Sequence, residues 1–347
     1  MKIAIHHRQG SFSERWLVYC EEQQIPYKLV DCYSSDIMRE LEGCAGLMWH
    51  WHHEDYREQN FARQLIYSLE LRGMKVFPNF ASCWHFDDKI GQKYLLEAIG
   101  GDLVPTYVFY DKAGADTWID SASFPKVWKL RGGAGAMNVK LVKDKAQAKR
   151  LAKRAFGRGF PLIDRKSDLR QRLWILRRDR DAKSFVLFAK GIARFFVPRK
   201  GFALLPLQKG YAYFQDFIPG NDYDDRIVVV GDKAIAIRRN NRKGDFRASG
   251  SGLIEYDPAL FEPRAVAKAF EIARKLKTQS LAFDFLYDES GTPKLTEISY
   301  CYAQGKVYDD CPGYWDRGLA WHEAPVNLQR FIIEDFLRSI EQECLNG

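Results

Sequence analysis

No apolar run in this 347-residue chain approaches the ~20 residues that a membrane-crossing helix requires, so no transmembrane segment is expected. The opening stretch MKIAIHHRQG turns polar after five positions and does not read as a signal peptide. Cysteine is sparse and unpatterned: seven residues, at 20, 32, 44, 83, 301, 311 and 344, with no CxxC. An odd, scattered set argues against a disulfide framework and for a reduced, cytoplasmic protein. Zinc-ligand spacings of nucleic-acid-binding modules are missing, so no nucleic acid partner is expected. There is no internal repeat and no long low-complexity segment. Also missing is the helix-opening lysine of a Walker phosphate loop, which excludes that route to nucleotide binding.

What is present is core material and positive charge. The hydrophobic fraction is 46% and the aromatic fraction 14%, enough to bury sizeable cores. The length fits two or three domains. The formal charge is +8, which favours anionic partners. Much of the excess lies between Lys143 and Lys200, where a solvated basic face accounts for most of it.

Strand and helix patterns alternate over the first 80 residues: strands at 2–5, 26–32, 45–51 and 74–79, helices at 13–24, 34–43 and 60–73. This predicts a small parallel α/β domain over 1–80. A helix at 85–101, a strand at 104–110, a strand pair at 124–130 and 138–142, and a basic helix at 144–157 follow. A charged helical segment near 164–190 completes a central region, 81–210. From 211 the chain turns strand-rich, with hairpins near 225–240 and 280–299, a helix at 263–276 and a last helix at 326–341. The fold class is α/β, α+β overall.

Three features carry chemistry. Asp284, in LAFDFLY, and Glu297, in KLTEIS, sit on the two arms of one hairpin. Two carboxylates there can converge on a hard cation shared with phosphates, or can face solvent on alternating strands. The glycine-rich stretch Gly132-Gly133-Ala134-Gly135 follows a strand bearing Lys129. A lysine so placed can reach phosphates that a mobile loop covers with its backbone N–H groups. The basic cluster of Arg238, Arg239, Arg242 and Arg247 lies within RRNNRKGDFRASGSG. Arg242 and Lys243 read as an exposed turn, whereas Arg247 is followed by small residues that let a substrate approach. His50, His52 and His53 follow the third strand, where ligand loops of α/β sheets occur, and read as substrate contacts ahead of a metal site. The aromatic, basic stretch 186–214 reads as an insertion packed on its neighbours ahead of a glycan- or membrane-binding face.

In order and rough spacing, PNFASCWHFDDKIGQKYLLEA, FPKVWKLRGGAGAMNVKLV, YFQDFIPGNDYDDRIVVVGDKAIA, GDFRASGSG and AFDFLYDESGTPKLTEIS resemble the ATP-grasp superfamily. The likeness is to the ribosomal-S6-modification type of carboxylate–amine ligase, and it runs from about Asn79 to Ser299. It implies a pre-grasp α/β domain at 1–80, a central domain with a mobile lid at 81–210, and a C-terminal grasp domain with an antiparallel sheet at 211–347. It implies that Lys89 and Lys129 bind ATP phosphates under a lid of Gly132, Gly133 and Gly135. Gln215, Asp216, Phe217 and Ile218 would receive adenine, with Asp216 where the family usually has glutamate, and Asp224 would approach the ribose. Arg239 and Arg247 would neutralise the transferred phosphate. Asp284 and Glu297 would bind two Mg²⁺ ions, which Mn²⁺ can replace, with Ser299 in the place of the usual asparagine. Ser249 likewise stands where asparagine is usual. The implied activity is ATP-dependent joining of a small carboxylate to an amine, with an acidic or glycan substrate open and a homodimer common among similar enzymes. A phosphotransferase on a hydroxyl and a nucleotide-binding protein with decayed activity are the alternatives.

Overall fold

The computed structural model describes residues 2–53, 55–133, 138–162, 165–196, 204–248 and 250–346. Gly135 and Ser249 lie outside them. The N-terminal region alternates β1 (Ile3–His6), α1 (Ser13–Glu22), β2 (Tyr27–Leu29), α2 (Ile37–Glu40), β3 (Gly46–Trp49), α3 (Tyr56–Leu71) and β4 (Lys75–Phe77). Its strands form a parallel sheet in the order β2-β1-β3-β4. β1 and β3 are buried at every position, the pattern of parallel strands covered on both faces. Helix α3 begins where the Asp55 carboxylate accepts the Arg57 N–H, and the chain leaves it through Gly73, whose φ is +84°.

The middle region contains α4 (Phe80–Cys83), α5 (Lys89–Ala98), β5 (Thr106–Phe109), α6 (Lys112–Ser121), β6 (Lys126–Trp128), β7 (Lys140–Val142), α7 (Lys145–Ala155), α8 (Arg165–Asp179) and α9 (Ala182–Phe196). β8 (Ala212–Asp216) returns to this region, giving an antiparallel sheet of order β5-β8-β6-β7. Alanines at 115, 148, 152 and 155 let α6 and α7 lie close on this sheet, against Trp128 and Phe214.

The third sheet is built from β9 (Tyr223–Val230), β10 (Lys233–Asn240), β11 (Ile254–Glu255), β12 (Ser280–Tyr287), β13 (Pro293–Ser299), β14 (Gly313–Asp316) and β15 (Trp321–Glu323). Its order is β13-β12-β9-β10-β14-β15, with β11 also on β10. α10 (Pro263–Leu276) and α12 (Leu328–Asn346) cover it, and the short α11 (Lys306–Asp309) precedes β14. Alternation along β9 sorts the two sides. Ile227 and Val229 join the core with Ala265, Val266, Ala269 and Ile272 of α10, whereas Val228 and Val230 join that with Ile332, Ile333 and Phe336 of α12. Both cores continue into the N-terminal sheet, through Leu47 and Trp49 on one side and Ile3 and Ile5 on the other. The N-terminal sheet is therefore cemented to the large sheet, which places the ends of β1 and β3 beside the ends of β12 and β13.

The chain departs from the sequence expectation at α6, α11, β14 and β15, which carry no strong period of their own. The charged segment near 164–190 is two helices, α8 and α9, packed on each other. Among the described residues no helix is long and apolar enough to cross a membrane. Cys20, Cys32, Cys44, Cys83, Cys301 and Cys311 are free thiols.

Candidate active site

One cavity of about 1180 Å³ lies where the three sheets meet. Lys89, Lys129, Gly133, Gln215, Asp216, Phe217, Ile218, Asp224, Arg239, Arg247, Asp284, Glu297 and Ser299 all line it. The sequence-predicted set is thus gathered from elements more than 200 positions apart. Gly132 flanks the cavity without lining it.

Lys89 opens α5, directly after the cap residue Asp88, whose carboxylate accepts the Gly91 N–H. Its ammonium donates to the Gly133 carbonyl at 2.9 Å and faces Glu297 Oε1 at 2.9 Å. Burial works against this charge, but Glu297 and Asp87 more than offset burial and hold the ammonium above its ordinary pKa. Lys129, one residue beyond β6, is also buried, and its ammonium lies 3.5 Å from the Thr296 carbonyl. Burial, reinforced by the Lys89 charge and only partly countered by Glu297, lowers its pKa to about 8. The two lysines thus bracket Glu297 with unequal proton affinity.

The glycine stretch is anchored by a residue that the sequence reading missed. Asp87 Oδ1 accepts the Gly133 N–H at 2.6 Å, and a Cβ on Gly132 would stand 2.8 Å from Asp87 Oδ2. Gly133 has a φ of +107°, a conformation that favours glycine. Burial pushes the Asp87 carboxyl up to about 6, against the pull of Lys89. The signal was the doubled acid in FDDK: Asp88 caps the helix, leaving Asp87 free to turn toward the loop.

At the hinge, the Gln215 side chain donates to Thr106 Oγ1 at 3.0 Å, and Asp216 is ion-paired with Lys126 at 2.6 Å. Phe217 meets Phe246 edge-on, with ring centroids 6.0 Å apart. The end of β8 and the residues just after it are therefore held by their side chains.

Strand register explains the charged floor. Asp284 pairs with Glu297 on one side and with Arg226 on the other, and Asp224 pairs with Arg239. Arg226 grips both oxygens of Asp284, at 2.7 and 2.8 Å. Arg239 spans Asp224 at 2.6 Å and Asp284 at 2.9 Å. Burial would raise the Asp284 pKa, but the two guanidiniums outweigh it and hold the carboxyl well below the usual range. Asp224 turns both oxygens to Arg239. Arg226 was not singled out from sequence, although period-2 alternation puts it on the same face as Asp224. Arg238, one residue before Arg239, faces the other way and grips the fully buried Asp225 at 2.8 and 2.9 Å. Arg247 is paired with Asp245 at 2.8 Å on the loop after β10.

The N-terminal wall supplies Arg8, His50, His52, His53 and Glu58. His50 Nδ1 accepts the Phe12 N–H at 3.2 Å, so Nε2 carries the proton and points to Cys301 Sγ at 3.2 Å. Burial, aided by the Arg8 charge, holds His50 well below its ordinary pKa. Burial also lowers His53 to about 4. Both are neutral imidazoles at pH 7. Glu58 accepts from Tyr33 Oη at 2.7 Å and from the His52 N–H at 2.5 Å. Among the described residues no group of three or more His, Cys, Asp or Glu is arranged to hold a metal.

The donor set nevertheless suits Mg²⁺ held jointly with phosphates. Asp284 and Glu297 offer carboxylate oxygens on one sheet face, and the Ser299 hydroxyl, which donates to the Cys301 carbonyl at 2.8 Å, keeps its lone pairs free. Lys89 and the two guanidiniums already place cationic charge against these carboxylates, as a metal would.

This architecture is the ATP-grasp fold. No protein-family model matches the sequence, and no curated protein matches it. Among solved structures the chain is similar to D-alanine–D-alanine ligase from Bacillus anthracis complexed with ATP, at 13% identity over 99% of each chain with a TM-score of 0.58. It is similar to D-cycloserine synthetase DcsG at 12% identity, over 98% of this chain and 100% of that one, with a TM-score of 0.59. A RimK-domain ATP-grasp protein from Sphaerobacter thermophilus matches at 16% identity over 87% of this chain and 91% of that one, with a TM-score of 0.51.

Proposed function

We propose that this protein is an ATP-dependent ligase that joins a carboxylate to an amine through an acyl-phosphate. The observation that carries the reading is the cavity whose lining brings together the end of β8, two buried lysines, paired carboxylates and arginines. The ligase and synthetase names of two similar structures that span the whole chain support it.

In this reading adenine lies against the backbone of 215–218, and the phosphates run past Lys129 and Lys89 under the Gly132–Gly133 loop. Asp284 and Glu297 would hold Mg²⁺, with Ser299 as a further oxygen donor. Bound there, Mg²⁺ or Mn²⁺ would supply charge neutralisation for phosphoryl transfer. A carboxylate oxygen of the substrate attacks the γ-phosphorus, the bond to the β-phosphate oxygen breaks, and ADP leaves. The amine nitrogen then attacks the acyl carbon, the carbon–oxygen bond to phosphate breaks, and the amine loses a proton as the amide forms. Lys129, Arg239 and Arg247 neutralise the transferred group, and positioning provides much of the remaining acceleration. Closure of the lid keeps water from the acyl-phosphate.

Hydroxylamine tests the chemistry. With ATP, Mg²⁺ and a pool of small carboxylates, an acyl-phosphate is trapped as a hydroxamate with stoichiometric ADP. Phosphorylated product without hydroxamate would identify a phosphotransferase. Nucleotide binding without ADP release from any pool would identify a decayed enzyme.

A further inference from the structure

Five arginines line the cavity: Arg8, Arg57, Arg226, Arg239 and Arg247. Four face a carboxylate: Arg57 with Asp55 at 2.7 Å, Arg226 with Asp284 at 2.7 Å, Arg239 with Asp224 at 2.6 Å and Arg247 with Asp245 at 2.8 Å. Among the described residues Arg8 makes no ion pair, although Glu58 feels its charge, and its Nε is buried without a hydrogen-bond partner. Its backbone is pinned all the same. The Arg8 N–H donates to Ser13 Oγ at 3.1 Å, and the Arg8 carbonyl accepts the Ser11 N–H at 3.2 Å.

The place is as telling as the missing partner. In the order β2-β1-β3-β4 the chain reverses direction across the sheet between β1 and β3. Ligands of parallel α/β sheets bind in the crevice at the carboxyl ends of such strands. Arg8 follows β1 and His50 follows β3, so both stand at that crevice. His50 in turn touches Cys301 on the segment that leaves the Glu297 strand. Three further buried polar atoms of the cavity lining lack partners: Gln304 Oε1 on that same segment, Tyr308 Oη on α11 and His53 Nδ1. Unsatisfied buried polar atoms are costly, and four in one cavity lining describe a site that a ligand completes.

We propose that Arg8 anchors an oxyanion group, a carboxylate or a phosphate, on the substrate that reacts with ATP or on its amine partner. This deepens the ligase reading and rests on it for the identity of the ligand as a co-substrate. The acidic group is distinct from the carboxylate that is activated. That carboxylate must lie near Lys129, Arg239 and Arg247, which belong to the middle and large sheets. The substrate pair therefore carries at least one anionic group that does not react. Guanidinium suits either anion through two parallel N–H donors.

Calorimetry on the full chain tests this without turnover. The nucleotide site is first filled with a non-hydrolysable ATP analogue and Mg²⁺, so that Lys89 and Lys129 are occupied. Succinate, its monoamide succinamate, and 3-phosphonopropionate are then titrated. Succinate or the phosphonate binds to the unsubstituted chain, and Arg8→Gln weakens that binding roughly 10- to 100-fold, as expected for a lost charged hydrogen bond. Arg8→Lys restores part of it. Which probe prevails separates a carboxylate from a phosphate. Thermal melting shows that both variants fold. If neither probe binds in an Arg8-dependent way, the proposal is overturned. Hydroxamate formation by the same protein reports separately on the ligase reading.

Discussion

Asp284 and Glu297 stand directly opposite each other on β12 and β13, yet they are matched by different cations. Asp284 is gripped by Arg226 and Arg239, whereas Glu297 faces the Lys89 ammonium at 2.9 Å, with the Lys129 charge nearby. Glu297 is also the more exposed of the two, at 31% against 12% of the side chain. It is the carboxylate better able to exchange its protein cation for a metal. Glu297→Gln is expected to lower ATP-dependent turnover on the order of 10²- to 10³-fold, as for other lost charge stabilisers. Stopped assays of ADP release measure this, and near-normal turnover would remove Glu297 from the site.

Lys129 gives the site a pH dependence. Its pKa is lowered to about 8, chiefly by burial. The ammonium is therefore charged below about 8 and neutral above, and incoming triphosphate favours the charged form. ATP should bind more weakly as pH rises through this value, with proton uptake on binding above it. Calorimetry at pH 8.5 in buffers of different ionisation enthalpy counts the protons, and Lys129→Met should abolish the uptake. The sign for stability is the opposite one. The buried charge is a penalty that is fully present below pH 8 and is relieved as pH rises toward the unfolded value of 10.5.

Gly132→Ala should loosen the Gly132–Gly133 segment without unfolding the chain. The new Cβ would meet Asp87 Oδ2 at 2.8 Å and Leu162 Cδ1 at 3.1 Å. Displacing Asp87 removes the acceptor of the Gly133 N–H. ATP affinity is expected to fall roughly 10-fold, the worth of one charge-assisted hydrogen bond, while the melting temperature moves little. An unchanged dissociation constant for ATP would mean that this anchor does not shape the nucleotide site.

Much of this was legible in the sequence, because period and punctuation carry local information. Short apolar runs marked β1, β3, β9 and β12, and the stretch after Asp88 marked α5. Lys89, Lys129, Gln215, Arg247, Asp284 and Glu297 were picked out as an ordered set through their chemistry and the family resemblance, and they line one cavity. What stayed hidden depends on register. That Arg226 is the partner of Asp284 follows from β9 lying beside β12, a long-range pairing that no local pattern reports. The lone position of Arg8 is visible only once β1 and the segment after Glu297 share a wall. β14 and β15 were missed because four- and three-residue strands rich in Trp, Asp and His have no usable period.

The α8–α9 pair is where the chain departs furthest from its sequence resemblance, and its contacts suggest a duty. Gln171 donates to the Gly250 carbonyl at 2.8 Å, and Arg178 donates to the Ser251 carbonyl at 2.5 Å. The Trp174 ring lies 4.0 Å beneath the Arg242 guanidinium, which itself bonds the Gly250 carbonyl. α8 thus clasps the loop that carries Arg247, from outside the cavity. A side chain that only stabilised the fold would shift the melting temperature and leave the kinetics alone. A clasp should act on the reacting group instead. Trp174→Ala is expected to lower kcat several-fold with little change in KM for ATP, because each lost contact of this kind contributes about 1 kcal/mol. Arg178→Ala should act in the same direction, and the double variant should be less than additive because both hold one loop. Initial rates of ADP release across ATP concentrations separate the two parameters, and a change confined to the KM for ATP would show that α8 does not position Arg247.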